Sequence, residues 1–192
     1  DVRQRGGFGV QTDISINGGT FDQITILLNG VNISNPQTGH NAADFPVALS
    51  DIERIEVLEG AAARVFGTSA FSGAINIVTR SAHQREVRAM AQAGSYGTVE
   101  AEAGLTLVST AVRHHVSGGY ARSDGGTRNS DFGKGRAYYE GCWDTRHVSL
   151  GWQIGMSLQD YGANTFYSAR YDNQWEKTAH LIGSVSARIK GL

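Results

Sequence analysis

The sequence predicts an α+β segment followed by antiparallel strands of a membrane β-barrel, with the barrel incomplete at about six strands. Three observations predict it. A bridge of small residues joins two short apolar strands around residue 60. From Gln84 onward, apolar positions recur with a period of two. The connections between the resulting strands are long on one side and minimal on the other.

The N-terminal segment mixes short strands and turns. ITILLNGVNIS, residues 24–34, is a hairpin signal, because Asn29-Gly30 supplies the positive φ angles of a tight type I′ turn. DISINGG, residues 13–19, reads as another short strand. Residues 52–80 read IERIEVLEGAAARVFGTSAFSGAINIVTR. Residues 61–66 predict a brief helical turn there, favoured by alanines and bounded by Gly60 and Gly67. Gly60, Gly67 and Gly73 leave room for close backbone packing.

The alternating strands are expected over residues 87–93, 99–107, 112–122, 134–143, 148–156 and 181–189. Each has one apolar and one polar face. A tilted strand of about ten residues covers about 23 Å of bilayer normal, close to the apolar band of outer-membrane barrels. A soluble sandwich also alternates, so the connections matter more. They fall at 95–96, 109–110, 123–133, 144–145 and 159–176. The two long ones follow odd-numbered strands and therefore share one end. Long outer loops and short periplasmic turns are the habit of bacterial barrels.

Composition narrows the function classes. Lys+Arg is 17 against Asp+Glu 18, a net charge of −1, which argues against a nucleic-acid partner. Glycine is abundant at 25 residues and proline scarce at 2, a balance that suits tight turns rather than disorder. Cys142 is the single cysteine, so neither an internal disulfide nor a multi-cysteine metal site is expected. No apolar run reaches the length of a membrane helix. The opening DVRQRGGFGVQTD carries no signal-peptide core and the chain has no initiator Met, as expected of a mature or cut product. GxSxG, HExxH and the phosphate-loop motif are absent, so no enzyme and no cofactor is expected. His114 and His115 are adjacent, point to opposite faces of a strand and cannot chelate together. Asp44, Asp51, Glu53 and Glu56 are expected to cap turns or line solvent.

DISINGGTFDQITILLNGVNISNPQTGH and DIERIEVLEGAAARVFGTSAFSGAINIVTR, in this order, resemble the plug domain of TonB-dependent outer-membrane receptors. YGANTFYSARYDNQWE, residues 161–176, resembles a segment of vitamin B12 receptor-like proteins of Bacteroidetes type. The resemblance implies that residues 1–80 are the C-terminal part of a plug and residues 81–192 the first strands of a barrel of about 22 strands. It implies an outer-membrane transporter of a Gram-negative bacterium that binds a scarce nutrient, such as cobalamin or a ferric siderophore. Its partners would be that small-molecule ligand, outer-membrane lipid and the TonB complex of the inner membrane, reached through a segment absent here. The chain is then an internal or truncated piece of a larger receptor. Competing readings are a soluble β-rich binding or adhesion module, whose 148–156 apolar face would pack on another sheet or helix, and a non-functional truncated reading frame.

The resemblance also places candidate residues. Asn35, Gln37 and His40 would sit in an apical plug loop facing the outer vestibule. Tyr161, Asn164, Phe166, Tyr167 and Trp175 fall in the long loop, where aromatic side chains would seat that loop on the plug, contact ligand or belong to the aromatic girdle. The family usually has arginine where this chain has Asn17 and Glu59. Those arginines pair with barrel glutamates, so that lock is in doubt, with Arg54 or Arg64 as substitutes.

Overall fold

The computed structural model describes residues 1–7, 10–35, 44–66, 70–81 and 83–191. The N-terminal unit carries β1 (Val2–Arg5), β2 (Gln11–Ile14), β3 (Ile24–Leu28), β4 (Val31–Asn32), β5 (Ile52–Glu59) and β6 (Gly73–Thr79). β1 and β2 form an antiparallel pair. The other four make a sheet in the order β4-β3-β6-β5, with β3 and β6 parallel. Asn29 (φ 52°) and Gly30 (φ 81°) turn the expected hairpin. The strand expected at 13–19 covers 11–14 instead. Asn17 and Gly18 both take positive φ, so the chain turns where the strand would have continued. Residues 60–66 form a short 3-10 helix.

Six strands follow: β7 (Glu86–Ala93), β8 (Val99–Val108), β9 (Val112–Ser123), β10 (Phe132–Asp144), β11 (Val148–Gly162) and β12 (Trp175–Ile189). They form one antiparallel sheet in sequence order, here called the wall. β7 and β12 are its edges, so the barrel is not closed. The last three strands outrun the expected ranges, and the final loop shrinks from 159–176 to 163–174. Outward apolar positions on β11 stop at Leu158, but backbone pairing continues through Asp160 opposite Lys177 to Gly162 opposite Trp175. Hydrophobic alternation marks the membrane-high part of a strand, not its end.

The wall is inside out relative to a soluble sheet. Val87, Leu105, Ile154, Met156, Leu158, Leu181 and Val185 are exposed on its outer face. Glu100, Glu102, Thr106, Ser117, Glu140, Gln153 and Ser157 are buried on its inner face, against the N-terminal unit. Among the described residues, no second sheet covers the outer face of 148–156, so the sandwich reading loses its own prediction. Aromatic residues mark both ends of the outer face. Trp143, Trp152 and Tyr139 lie toward the short turns, where Tyr139 OH accepts from Trp152 Nε1 at 3.2 Å and meets His114 Nδ1 at 2.8 Å. Tyr120 and Trp175 lie toward the long loops, exposed on the outer face. Trp175 is therefore the first residue of β12, not a loop residue resting on the N-terminal unit.

The N-terminal unit has a conventional core of Ile16, Ile24, Ile26, Leu28, Ile33, Val47 and Ile77. Tyr138 and Ile182 of the wall enter it, so the two units share an apolar contact here.

Candidate functional site

The seam between the N-terminal unit and the wall concentrates the polar chemistry. It is built from turn residues on one side and inward-facing strand positions on the other. Asn29 is the clearest case. Its left-handed backbone at the β3–β4 turn aims the amide into the wall. Nδ2 lies 3.0 Å from Thr79 Oγ1, 3.1 Å from Gln153 Oε1 and 3.2 Å from Tyr138 OH, while Oδ1 accepts from Thr79 N–H at 3.0 Å. Thr79 donates to Glu140 Oε2 at 2.7 Å, and Arg113 Nη1 donates to Glu140 Oε1 at 3.0 Å. Gln153 Nε2 reaches back to Leu28 O at 3.3 Å. A buried carboxylate is tolerable only when paired and hydrogen-bonded in this way.

Two aspartates close the seam elsewhere. His115 Nε2 stands 3.1 Å from Asp51 Oδ1, and its Nδ1 is 2.9 Å from Thr106 Oγ1. Arg88 donates to Ser50 O at 2.9 Å beside them. Burial pushes the Asp51 carboxyl up, but hydrogen bonds from His115 and Ser117 and the charges of His115 and Arg88 outweigh it, so the group sits below its ordinary value. Asp44 accepts from Ser157, lies 3.5 Å from Thr178 Oγ1, and offers its carbonyl to His180 at 3.3 Å. Gly155 permits this approach: a Cβ there would lie 2.6 Å from Pro46 Cγ. Asp44 and Asp51 are thus buried contacts of the wall, not the turn caps or solvent-facing groups expected of them. Glu53 and Glu56 do stay at the surface, paired with Arg54.

At the long-loop end, Gln159 Nε2 donates to Val10 O at 3.4 Å. Tyr167 OH donates to Glu176 at 2.5 Å and accepts from Gln11. Burial of the hydroxyl end, with the Glu176 carboxylate, pushes the Tyr167 phenol up to about 12, so it remains a neutral donor. Phe166 packs with Tyr161, Val10, Ala121 and Phe132. The loop therefore rests on the N-terminal unit through its aromatics. Tyr161 is wholly buried, so it supports the loop and does not face a vestibule. Asn164 Nδ2 binds Arg128 O at 2.6 Å, which ties this loop to the 124–131 loop. Asn129 makes two similar bonds to the carbonyls of Asp172 and Gln174.

The other candidates scatter. Asn35 is half-buried beyond β4; Gln37, His40 and Gly67 lie outside the described residues. Gly73 sits where a Cβ would lie 2.8 Å from Leu58 O. Gly60 has open space around it and is needed for its positive φ instead. Arg54 does not replace the arginines missing at Asn17 and Glu59, because it pairs within its own strand. The side chain of Arg64 lies outside the described residues. The wall supplies its own cation: Arg136 Nη2 binds Glu100 at 2.8 Å and also binds Glu102, both buried. Sequence reasoning missed this, although Arg136 and both glutamates stand at polar positions of alternating strands.

Residues 1–74 match the family model described as TonB-dependent Receptor Plug Domain. The vitamin B12 transporter BtuB of Vibrio vulnificus is 28% identical over 181 residues, covering 94% of this chain and 27% of that protein. The BtuB of Photobacterium profundum is 37% identical over 75 residues, 38% of this chain and 12% of its own length. The chain thus spans well under a third of these curated relatives. Among solved structures, the unliganded ferric citrate transporter FecA superposes with a TM-score of 0.75 at 14% identity, over 99% of this chain and 33% of that one. The copper transporter OprC gives 0.72 at 18%, over 94% and 29%. Both are likenesses of fold. The relatives named here are transporters, not enzymes, and the curated ones come from Vibrio and Photobacterium, so the Bacteroidetes-type likeness of 161–176 stays an expectation. An N-terminal unit that matches the plug-domain model sits against an inside-out antiparallel wall, an arrangement of the same kind as the fold of these solved transporters.

Proposed function

We propose that this chain is the plug's C-terminal part, residues 1–80, with the first barrel strands, residues 81–192, of a transporter that takes up a scarce nutrient with energy supplied through TonB. The observation that carries the reading is the inverted burial of the wall around a plug-type unit. An apolar outer face and a polar inner face suit a lipid exterior and a filled lumen. The nutrient class is cobalamin-like, supported by the likeness to vitamin B12 transporters over nearly the whole chain. A ferric siderophore is the second class. Asn35, Gln37 and His40 on the plug, with Asn164 and Tyr167 on the long loop, are the groups proposed to meet the ligand. Phe166 and Tyr161 hold that loop in place, and Gly73 allows the plug to pack closely against Leu58. The test expresses the full-length receptor in a host lacking its own cobalamin receptor. TonB-dependent growth on limiting cyanocobalamin supports the reading. Failure to take up either cyanocobalamin or ferric siderophores with TonB present overturns it.

A further inference from the structure

The outer face of the wall carries an imidazole inside its apolar field. His114 stands on β9 between Val112 and Val116 of the same face. Across the sheet, pairing sets it in the row Leu107, His114, Gly141, Trp152 and Val185. A further row of Val112, Trp143, Leu150 and Ala187 separates it from the short turns. The imidazole therefore lies two residues inside the lower edge of the apolar band, about 5 Å of bilayer normal for a tilted strand. The ring is held in place. Gly141 lets the Trp152 indole lie over β10 toward His114, since a Cβ there would collide with it. His114 stacks on Tyr139 with centroids 6.1 Å apart, and Trp152 is tilted against it at 57°. Tyr139 OH accepts from Trp152 Nε1 at 3.2 Å and lies 2.8 Å from His114 Nδ1. One proton arrangement uses every donor of this cluster: Trp152 donates to Tyr139, and Tyr139 donates to Nδ1. It puts the remaining imidazole proton on Nε2, where no group among the described residues accepts it. A donor left without an acceptor at a hydrocarbon surface is costly.

We propose that the His114–Tyr139–Trp152 cluster is a phospholipid-binding site, in which His114 Nε2–H donates to a glycerol ester carbonyl of a lipid in the leaflet at the short turns. The proposal rests on the reading above that the outer face meets lipid, and names one lipid contact on it. Depth selects the acceptor. Phosphates and water lie beyond the last apolar row, whereas the ester carbonyls of a glycerophospholipid lie just inside the phosphates. Arg146 is exposed at the β10–β11 turn, beyond that row, with no ion pair among the described residues. It is placed to meet the phosphate of the same lipid. Tryptophan at a membrane interface presents its amphipathic ring at headgroup level. Here the Trp152 N–H is engaged by Tyr139, so the donor that the cluster offers outward is His114.

The test uses the full-length receptor, delipidated in dodecyl maltoside and titrated with dioleoylphosphatidylethanolamine, with bound lipid counted by native mass spectrometry. The unmodified receptor should retain one lipid that His114→Phe binds about tenfold more weakly, the effect of losing one hydrogen bond. His114→Phe keeps an aromatic ring on the outer face, so the comparison is between folded receptors. His114→Gln keeps an N–H donor and should lose less than His114→Phe. Tyr139→Phe, which breaks the relay, should weaken binding in the same direction by a smaller factor. The dialkyl ether analogue of the same lipid has the phosphate but no ester carbonyl. It should bind the unmodified receptor no better than the diester binds His114→Phe. Equal binding by the unmodified receptor and His114→Phe overturns the proposal. Equal binding of diester and diether overturns it too, because the acceptor is then not the carbonyl. A His114→Gln variant as weak as His114→Phe also overturns it, because the imidazole then only packs. The readout needs neither nutrient nor TonB, so its failure is separate from failure of the uptake assay.

Discussion

The plug and the wall obey opposite rules with the same alphabet. In the plug, Leu27 and Leu28 are fully buried and charged groups such as Glu53 and Arg54 face outward. In the wall, Val185 is 81% exposed and Leu181 69%, while Glu102 is 2% exposed and Ser157 fully buried. The contrast comes from what surrounds each unit. The plug's outside is polar, so burial of apolar area holds it together. With hydrocarbon outside the wall, as proposed above, its apolar face gains nothing from a protein partner, and hydrogen bonds and ion pairs join it to its contents.

That comparison predicts where substitutions hurt, and the full-length receptor in detergent or lipid is the object to test. The largest effect is expected at Arg136. Replacing it with methionine removes the hydrogen-bonded cation of buried Glu100 and Glu102 and should cost about 3–5 kcal/mol. Urea titration of the plug–wall contact should show the loss, and adding Glu100→Gln with Glu102→Gln should recover most of it. If Arg136→Met is neutral on its own, polar pairing does not hold the wall's inner face. Leu28→Ala, in the plug, should cost about 2–5 kcal/mol by the opposite mechanism, a cavity in an apolar core. A null result there would mean that the plug depends on the wall instead of on its own core.

Ile154→Arg separates the two rules most sharply. The site is half-exposed, so in a soluble protein arginine would be nearly free. On a lipid face near mid-membrane it should cost about 2–4 kcal/mol, read from folding into vesicles. Asp51 supplies a pH test. Its carboxyl is held below its ordinary value, so the contribution is present above the ordinary carboxylate range and lost as pH falls through the depressed value. Thermal melting followed against pH should show an acid-side loss that Asp51→Asn removes; an identical profile in the variant contradicts the Asp51–His115 contact. The smallest effect belongs to Asn129→Ala, which unties the two long loops and should cost about 1 kcal/mol, visible as faster proteolysis of residues 163–174.

Much of this architecture is legible in the sequence because two signals are local. Asn29-Gly30 specifies its turn through backbone sterics, and the strand alternation specifies which residues share a face. Loop parity then orders the ends of the sheet. The strand ends at Gly162 and Trp175 were not legible, because outward residues beyond the apolar band are polar and look like loop. Nor were the roles of Asp44 and Asp51. Each is an ordinary acidic residue beside a turn until Ser157 and His115, more than sixty residues downstream, are brought against it. Arg136 shows the same limit: only the pairing of β8 through β9 to β10 brings it against Glu100 and Glu102.

The central claim is that odd and even positions of β11 face different media. Single nitroxide labels at positions 153, 154, 156, 157 and 158 of the full-length receptor, reconstituted in phospholipid bilayers, test it most directly through collision with oxygen and with a water-soluble nickel complex. Positions 154, 156 and 158 should collide with oxygen and be shielded from nickel, while 153 and 157 should be shielded from both. Nickel access at 154, 156 and 158, or oxygen access that does not alternate, would contradict it.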